Sequence, residues 1–344
     1  MLLFFFACQF NSQQTESSTS LSTSDTPVPI RIESEEIAPS DFYMGADLNG
    51  DGDDEEIFAD KDGLRFGGNM EPIEGEIKIG VRGDYTQDGK EDAILGLGSS
   101  KKYRDAPMRL LLVTESSVQT LWEQKSTQNM ITDLHYVNGD IFFVHSADDG
   151  ALHSAWIRKG EYSEIDSHRL ALRQIPLKDD DVIVGRVYGD KPRSPGDLRI
   201  IAKGRTVQTI ASFRGIRALQ LGDLNRDGHR DLVVSDGWHF QYGTMARARI
   251  SIFLGPDYNI QYHIADMPKD YTINRIEIHR TDPSLILAQG ARAAYILHKE
   301  PLGWNVTVAC RYNEGDHAYF HYQKRDTYVL CSGRKASRNR IILP

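Results

Sequence analysis

The sequence predicts an all-β chain closed into a ring, and three observations carry that expectation. One acidic loop is written three times, each copy running into an apolar, β-branched stretch. Acid-bearing turns of the same kind recur about every 45 residues, a period that suits a unit of four strands in a repeat fold. The two ends complement each other: an alternating strand at the start, and a final unit short of one strand. Together these describe a seven-bladed β-propeller of four-stranded antiparallel blades, its N-terminal strand closing the last blade.

The loop reads Asp47-Leu48-Asn49-Gly50-Asp51-Gly52-Asp53-Asp54-Glu55, then Asp84-Tyr85-Thr86-Gln87-Asp88-Gly89-Lys90-Glu91-Asp92, then Asp223-Leu224-Asn225-Arg226-Asp227-Gly228-His229-Arg230-Asp231. Side-chain oxygens stand at loop positions 1, 3, 5 and 9, and glycine at 6 supplies the positive φ of a sharp turn. So many acids in nine residues repel one another unless a cation neutralises them. Calcium accepts irregular oxygen cages, whereas magnesium demands a tight octahedron, so the pattern points to calcium. The carbonyl of position 7 (Asp53, Lys90, His229) would add a ligand. The competing reading is a solvated Asp-Gly turn; threefold repetition favours the cation.

An EF-hand begins in the same way but places Glu at position 12 and opens into a helix. Position 12 here is Phe58, Leu95 or Val234. The stretches Ile57-Phe58-Ala59, Ala93-Ile94-Leu95 and Leu232-Val233-Val234 read as buried strands. Weaker turns follow the same rhythm at Asn138-Gly139-Asp140, at Gly189-Asp190 leading to Asp197, at Asp282 and at Asp326. The turn acids then fall at 55, 92, 140, 197, 231, 282 and 326, which implies seven blades. After the last turn there is room for strands near Thr327–Cys331 and Arg340–Leu343. The alternating segment 28–32 would supply the missing strand and remove an exposed sheet edge.

The stretch Gly222-Asp223-Leu224-Asn225-Arg226-Asp227-Gly228-His229-Arg230-Asp231-Leu232-Val233-Val234, followed by Ala248 to Pro256, resembles an FG-GAP (VCBS-type) repeat. This is the unit of integrin-α-like seven-bladed propellers. The resemblance is specific over 214–256, good over 42–58 and 77–97, and weak elsewhere. It implies calcium in the loop between the first two strands of a blade. Carried over residue by residue, it names Asp47, Asn49, Asp51 and Glu55; Asp84, Thr86, Asp88 and Asp92; and Asp223, Asn225, Asp227 and Asp231. Thr86 departs from the usual Asp or Asn, and Glu55 from Asp. The four weaker turns lack the ligand set, and no metal is expected there.

With 344 residues, 40% of them hydrophobic, the chain can bury one large core. Residues 28–344 read as a single propeller. A net charge of −9 argues against nucleic acid, whose binding rests on Lys and Arg neutralising phosphates. The basic run from Arg334 to Arg340 reads as a solvated turn between strands. Residues 1–8, ending Ala7-Cys8, resemble the end of a bacterial lipoprotein signal, although no Lys or Arg precedes the apolar run and the run is short. Residues 9–27, rich in Ser, Thr and Gln, read as a tether. The expected location is therefore the cell envelope, as a lipoprotein attached through Cys8, or secretion. Any membrane association runs through that anchor, because no apolar run reaches the roughly 18 residues of a spanning helix. Cys310 and Cys331 remain as an even pair, bridged or buried as thiols.

No nucleophile elbow or phosphate-cradling loop occurs, and no catalytic residue is assigned. His317 and His321 have the spacing of a helical zinc pair, but on a strand they merely share a face. Trp238-His239-Phe240-Gln241-Tyr242 could form a ligand platform or pack between blades. Two functions stay open. One is a monomeric binding or scaffold module for a protein or glycan ligand, with structural calcium. The other is a lyase or hydrolase acting on a glycan or lipid at the mouth of the central channel. His, Arg and carboxylates converging there with shifted pKa values would favour the second.

Overall fold

The structure, a computed structural model, describes residues 30–343 other than 127, 150, 168–170, 179–180, 188–194, 203–204, 238–246, 269, 302, 312–315 and 325. The signal-like segment, the tether and the aromatic run 238–242 lie outside the described residues.

The first strand, β1 (Arg31–Glu36), precedes the first blade and belongs to the last. Blade one comprises β2 (Phe42–Ala46), β3 (Glu55–Ala59), β4 (Leu64–Phe66) and β5 (Asn69–Glu71). Blade two is β6 (Glu76–Gly83), β7 (Asp92–Gly98), β8 (Met108–Val113) and β9 (Val118–Gln124). Blade three is β10 (Ile131–Val137), β11 (Asp140–Ser146), β12 (Leu152–Arg158) and β13 (Glu161–Ser167). Blade four is β14 (Ala171–Lys178), β15 (Asp181–Val187), β16 (Pro195–Ala202) and β17 (Arg205–Arg214). Blade five is β18 (Ile216–Gly222), β19 (Asp231–Asp236), β20 (Arg249–Leu254) and β21 (Ile260–Asp266). Blade six is β22 (Ile273–Ile278), β23 (Leu285–Gly290), β24 (Ala293–Glu300) and β25 (Gly303–Arg311). Blade seven is β26 (Ala318–Gln323), β27 (Asp326–Cys331) and β28 (Ser337–Ile342), with β1 outermost.

Every sheet is antiparallel, and neighbouring inner strands touch around a closed ring. The fold is the expected seven-bladed propeller. The closing strand pairs Arg31 with Ile342 and Glu36 with Ser337, so the ends of the chain share one sheet. In blade four the expected turn acid, Asp197, lies inside β16; the first hairpin of that blade instead leads into Asp181 at the start of β15. Only the start of the basic run is the expected turn: Arg334 and Lys335 are exposed ahead of β28, whereas Arg338 and Arg340 lie within that strand and pair with Glu56 and Asp326.

Second strands are continuous apolar runs because both sheet faces are covered by neighbouring blades. Ala93, Ile94, Leu95 and Leu97 of β7 are fully buried, as are Ile141, Phe142, Phe143 and Val144 of β11. Close packing between blades also explains Gly83. A Cβ there would lie 2.1 Å from the Tyr136 ring, and the Tyr136 hydroxyl donates to the Asp84 carbonyl at 2.8 Å. A disulfide joins Cys310 of β25 to Cys331 of β27, tying blade six to blade seven within their shared core.

Candidate functional site

The three acidic loops connect the first and second strands of blades one, two and five, so all three lie at one end of the propeller. They share one conformation. The position-6 glycines Gly52, Gly89 and Gly228 have φ of 92°, 88° and 87°. Position 4 is also left-handed, with Gly50, Gln87 and Arg226 at 79°, 59° and 62°. Sequence reasoning missed this second positive-φ position, because only loop one spells it with glycine.

The side chains hold that shape from inside. The first Asp accepts the position-6 N–H: Asp47 from Gly52 at 3.0 Å, Asp84 from Gly89 at 3.1 Å, Asp223 from Gly228 at 2.9 Å. The fifth residue accepts the position-7 N–H: Asp51 from Asp53 at 2.9 Å, Asp88 from Lys90 at 2.9 Å, Asp227 from His229 at 2.8 Å. The ninth reaches back to the loop's start. Glu55 accepts from Leu48 and Asn49, Asp92 from Thr86, and Asp231 from Leu224. The longer Glu55 therefore makes the same kind of contact as the aspartates, and it also accepts from the Asn49 amide at 2.7 Å.

Position 3 separates the loops: Asn49 Oδ1 accepts the Asp51 N–H at 2.8 Å and Asn225 Oδ1 the Asp227 N–H at 3.1 Å, whereas Thr86 offers only a hydroxyl. The first Asp separates them further. Asp84 Oδ1 and Asp223 Oδ1 each accept the position-5 N–H at 3.0 Å. Asp47 Oδ1 is buried and has no hydrogen-bond partner among the described residues. Burial raises the pKa of Glu55, Asp92 and Asp231; backbone hydrogen bonds oppose the shift, and neighbouring loop acids add to it. Asp227, by contrast, is exposed and held low by the His229 N–H.

These features fit a hard cation. The donors are carboxylate, amide and carbonyl oxygens, one carboxylate oxygen is buried without a partner, and the ninth-position acids would be relieved by positive charge. Among the described residues no three His, Cys, Asp or Glu side chains form a ready-made cage, so Asn, Thr and carbonyl oxygens would have to complete one.

Loop one is also wired into the ring. Asp47 and Glu91 of loop two exchange hydrogen bonds: the Asp47 N–H donates to Glu91 Oε2 at 3.1 Å, and the Glu91 N–H to the Asp47 carbonyl at 3.0 Å. Arg280 of blade six bonds Glu91 at 3.2 Å. The side chain of Asp54, at position 8, is completely buried. It pairs with Arg82 at 2.9 Å and Arg280 at 3.6 Å and accepts the Tyr322 N–H of β26 at 2.8 Å. Burial pushes Asp54 up to about 6, against the pull of Arg82. His321 lies beside it, fully buried on β26, its pKa lowered to about 3 by burial. Neither His321 nor His317 sits on a helix; both belong to the inner strand of blade seven and its approach.

The inner strands enclose a channel cavity of about 180 Å³. Three of its four arginines are paired with acids, and Arg230 donates instead to the Leu177 carbonyl. Arg82 bonds Glu277 at 2.7 Å, Arg275 shares that carboxylate at 3.2 Å, and Arg173 pairs with Asp133 at 3.3 Å. Burial raises Asp133 to about 6 and lowers His135 to about 4. At the end away from the acidic loops the channel widens into a mouth of about 430 Å³, walled by Lys78, Thr132, Arg173, Asn274, Arg275 and Gln289 among others.

Solved structures resemble this chain in fold. A gluconolactonase from Xanthomonas campestris matches with 11% identity and a TM-score of 0.51, covering 90% of this chain and 100% of its own. A chain in the S. cerevisiae Dbp5 complex with Nup159, Gle1, IP6 and ADP matches at 10% identity, TM-score 0.49, over 91% and 95%. The computationally designed protein Ika8 matches at 10% identity, TM-score 0.47, over 89% and 96%. No protein-family model and no curated protein sequence matches the chain. The likeness is one of fold; the chain's own seven four-stranded sheets define it as a seven-bladed β-propeller.

Proposed function

We propose that this is a calcium-stabilised propeller of the FG-GAP type, exported to the cell envelope or secreted, that serves as a binding or scaffold module for a protein or glycan. The observation that carries the calcium is the shared hydrogen-bond scheme of the three loops together with the unpartnered, buried Asp47 Oδ1. In this reading Asp47, Asn49, Asp51, Glu55 and the Asp53 carbonyl hold one ion. Asp84, Thr86, Asp88, Asp92 and the Lys90 carbonyl hold a second. Asp223, Asn225, Asp227, Asp231 and the His229 carbonyl hold a third. The Cys310–Cys331 disulfide supports an oxidising compartment. Calorimetric titration of the full chain with calcium tests the reading: three sites are expected, and absence of binding at millimolar calcium overturns it.

A second reading has its own support. Arg173, Arg275, Asp133, Glu277 and His135 line the channel, and burial raises the pKa of Asp133 and lowers that of His135, as a lyase or hydrolase acting on a glycan or lipid would require. The same acids are bonded to guanidinium groups, which leaves none of them free as a base, and this favours the binding module. The gluconolactonase is an analogy of fold alone. Turnover of glycan or lipid esters that is lost on Asp133→Asn would reverse the preference.

A further inference from the structure

Five consecutive inner strands carry the same irregularity near their start. The pairing register slips between Ile77 and Ile79, Ile131 and Asp133, Ala171 and Arg173, Ile216 and Ala218, and Ile273 and Arg275. A β-bulge leaves its extra residue out of the ladder and re-aims the side chain. In blades two, three, five and six the extra residues are Lys78, Thr132, Arg217 and Asn274. Three of these wall the wide mouth of the channel, and Arg217, the bulged residue of blade five, adjoins that wall through Arg173, which donates to its carbonyl. The residues just after the bulge add Arg173 and Arg275 to the same wall.

Cations outnumber acids at this mouth, with Lys78, Arg173 and Arg275 against Asp316. Arg173 is held by the carbonyls of Arg217 (2.7 Å) and Thr132 and by Asp133, and Arg275 by the Ala318 carbonyl (2.9 Å) and Glu277, with its guanidinium over the Tyr319 ring. Lys78 pairs with Glu76 at 2.7 Å. Arg217 has no such partner among the described residues. Its Nε is buried without a hydrogen bond, and the charge beside it is Arg173, so burial and like charge lower its pKa to about 10. Thr132 Oγ1 is likewise buried without a partner. Asn274 Oδ1 accepts from Thr272 at 2.9 Å, which leaves its amide N–H groups to donate. Asp316 is the rim's opposing acid, and its carbonyl is taken by Gln289.

We propose that this mouth binds an oxyanion, the carboxylate or phosphate group of a small polar molecule, with Arg217 and Arg173 as the principal contacts and Lys78, Thr132 and Asn274 around them. Guanidinium groups suit planar or tetrahedral oxyanions because their N–H donors form a fixed fork. The cavity has room for the charged group and a body about the size of a monosaccharide. The site lies at the opposite end of the inner strands from the acidic loops and does not depend on calcium.

Calorimetric titration of the full chain at low ionic strength with inorganic phosphate, with glucuronate and with neutral glucose tests the proposal. Saturable binding of phosphate, glucuronate or both is expected, and none of glucose; which anion binds tells carboxylate from phosphate recognition. Arg217→Gln and Asn274→Asp should each weaken the interaction about tenfold or more. Arg217→Gln removes no hydrogen bond among the described residues, and Asn274→Asp retains the carbonyl that Thr272 uses, so at least one variant should keep the wild-type unfolding midpoint. Asp227→Ala should leave anion binding unchanged, so a failure of the calcium reading would show separately. Absence of binding by both anions, or equal affinity in both variants, would overturn the site.

Discussion

The two ends of the propeller are built from the same strands and have opposite characters. β6 starts near Lys78 and runs out into Asp84; β18 starts near Arg217 and runs out into Asp223. Six residues at about 3.3 Å each separate the two ends of such a strand by roughly 20 Å. At the loop end acids are knotted to backbone N–H groups, neighbour to neighbour. At the mouth guanidiniums lean on carbonyls, and Arg217 has no counter-charge among the described residues. The first arrangement holds chain together and the second leaves a charge available. Stability should therefore answer to changes at the loop end, and ligand affinity to changes at the mouth.

The largest expected effect is calcium removal. A site of ~10⁻⁴ M affinity adds about 1.4 kcal/mol at millimolar calcium, so three independent sites add roughly 4 kcal/mol. Chemical unfolding with calcium and with excess chelator should differ by about that much, while phosphate or glucuronate shifts the midpoint less. An unchanged midpoint in chelator would dissolve the contrast between the ends.

Next comes Asp54→Ala, expected to cost about 3 kcal/mol because it strips Arg82 and Arg280 of a completely buried partner. The exposed pair at Asp326 should cost well under about 1 kcal/mol on the same change. Equal losses would mean that the wiring beneath loop one is ornamental. The pH dependence sharpens this test. The folded protein holds the Asp54 proton up to about 6, above the unfolded value near 3.8. The folded state therefore binds more protons than the unfolded one between those values, and stability from this group falls as pH rises through that window. Against Asp54→Asn, wild-type stability should decline from pH ~4 to ~6; a flat difference would remove Asp54 as the titrating group.

Reduction of the Cys310–Cys331 bridge probes blade closure independently of charge. It closes a loop of 21 residues, for which chain entropy suggests a loss of about 3 kcal/mol at most. A loss as large in chelator as in calcium would confirm that the blade six to blade seven tie and the loops act separately.

The repeating acids and the apolar second strands made the fold legible in the sequence, since both report local chemistry that every blade needs. Asp197 misled because an acid inside β16 resembles a turn acid when only spacing is read; Asp181, beside two residues outside the described set, is the one that follows the first hairpin of that blade. Asp54 was passed over as one more loop acid, because its partners Arg82, Arg280 and Tyr322 come from three other blades. The mouth was illegible for the same reason. Lys78, Thr132, Arg217 and Asn274 share no motif, and only a bulge repeated blade after blade aligns them.

The smallest expected effect divides the loops themselves. The third loop matches the repeat pattern best in sequence, yet Asp223 spends both oxygens on N–H groups of its own loop. Asp47 spends one, on Gly52, and keeps the other buried and unpartnered. A cation at loop one therefore displaces no hydrogen bond from that oxygen, whereas at loop three it competes with the Asp227 N–H. Asp47→Asn should reduce calcium's contribution to stability by about 1 kcal/mol, most of one site's share, and Asp223→Asn by less. In chelator Asp47→Asn should cost little, because the amide oxygen can still accept the Gly52 N–H and the substitution removes a charge whose Oδ1 is buried without a hydrogen bond among the described residues. Chemical unfolding of both variants with and without calcium reads the difference; a larger loss at Asp223 would make the repeat pattern, rather than the unpartnered oxygen, the better guide to which loop binds most tightly.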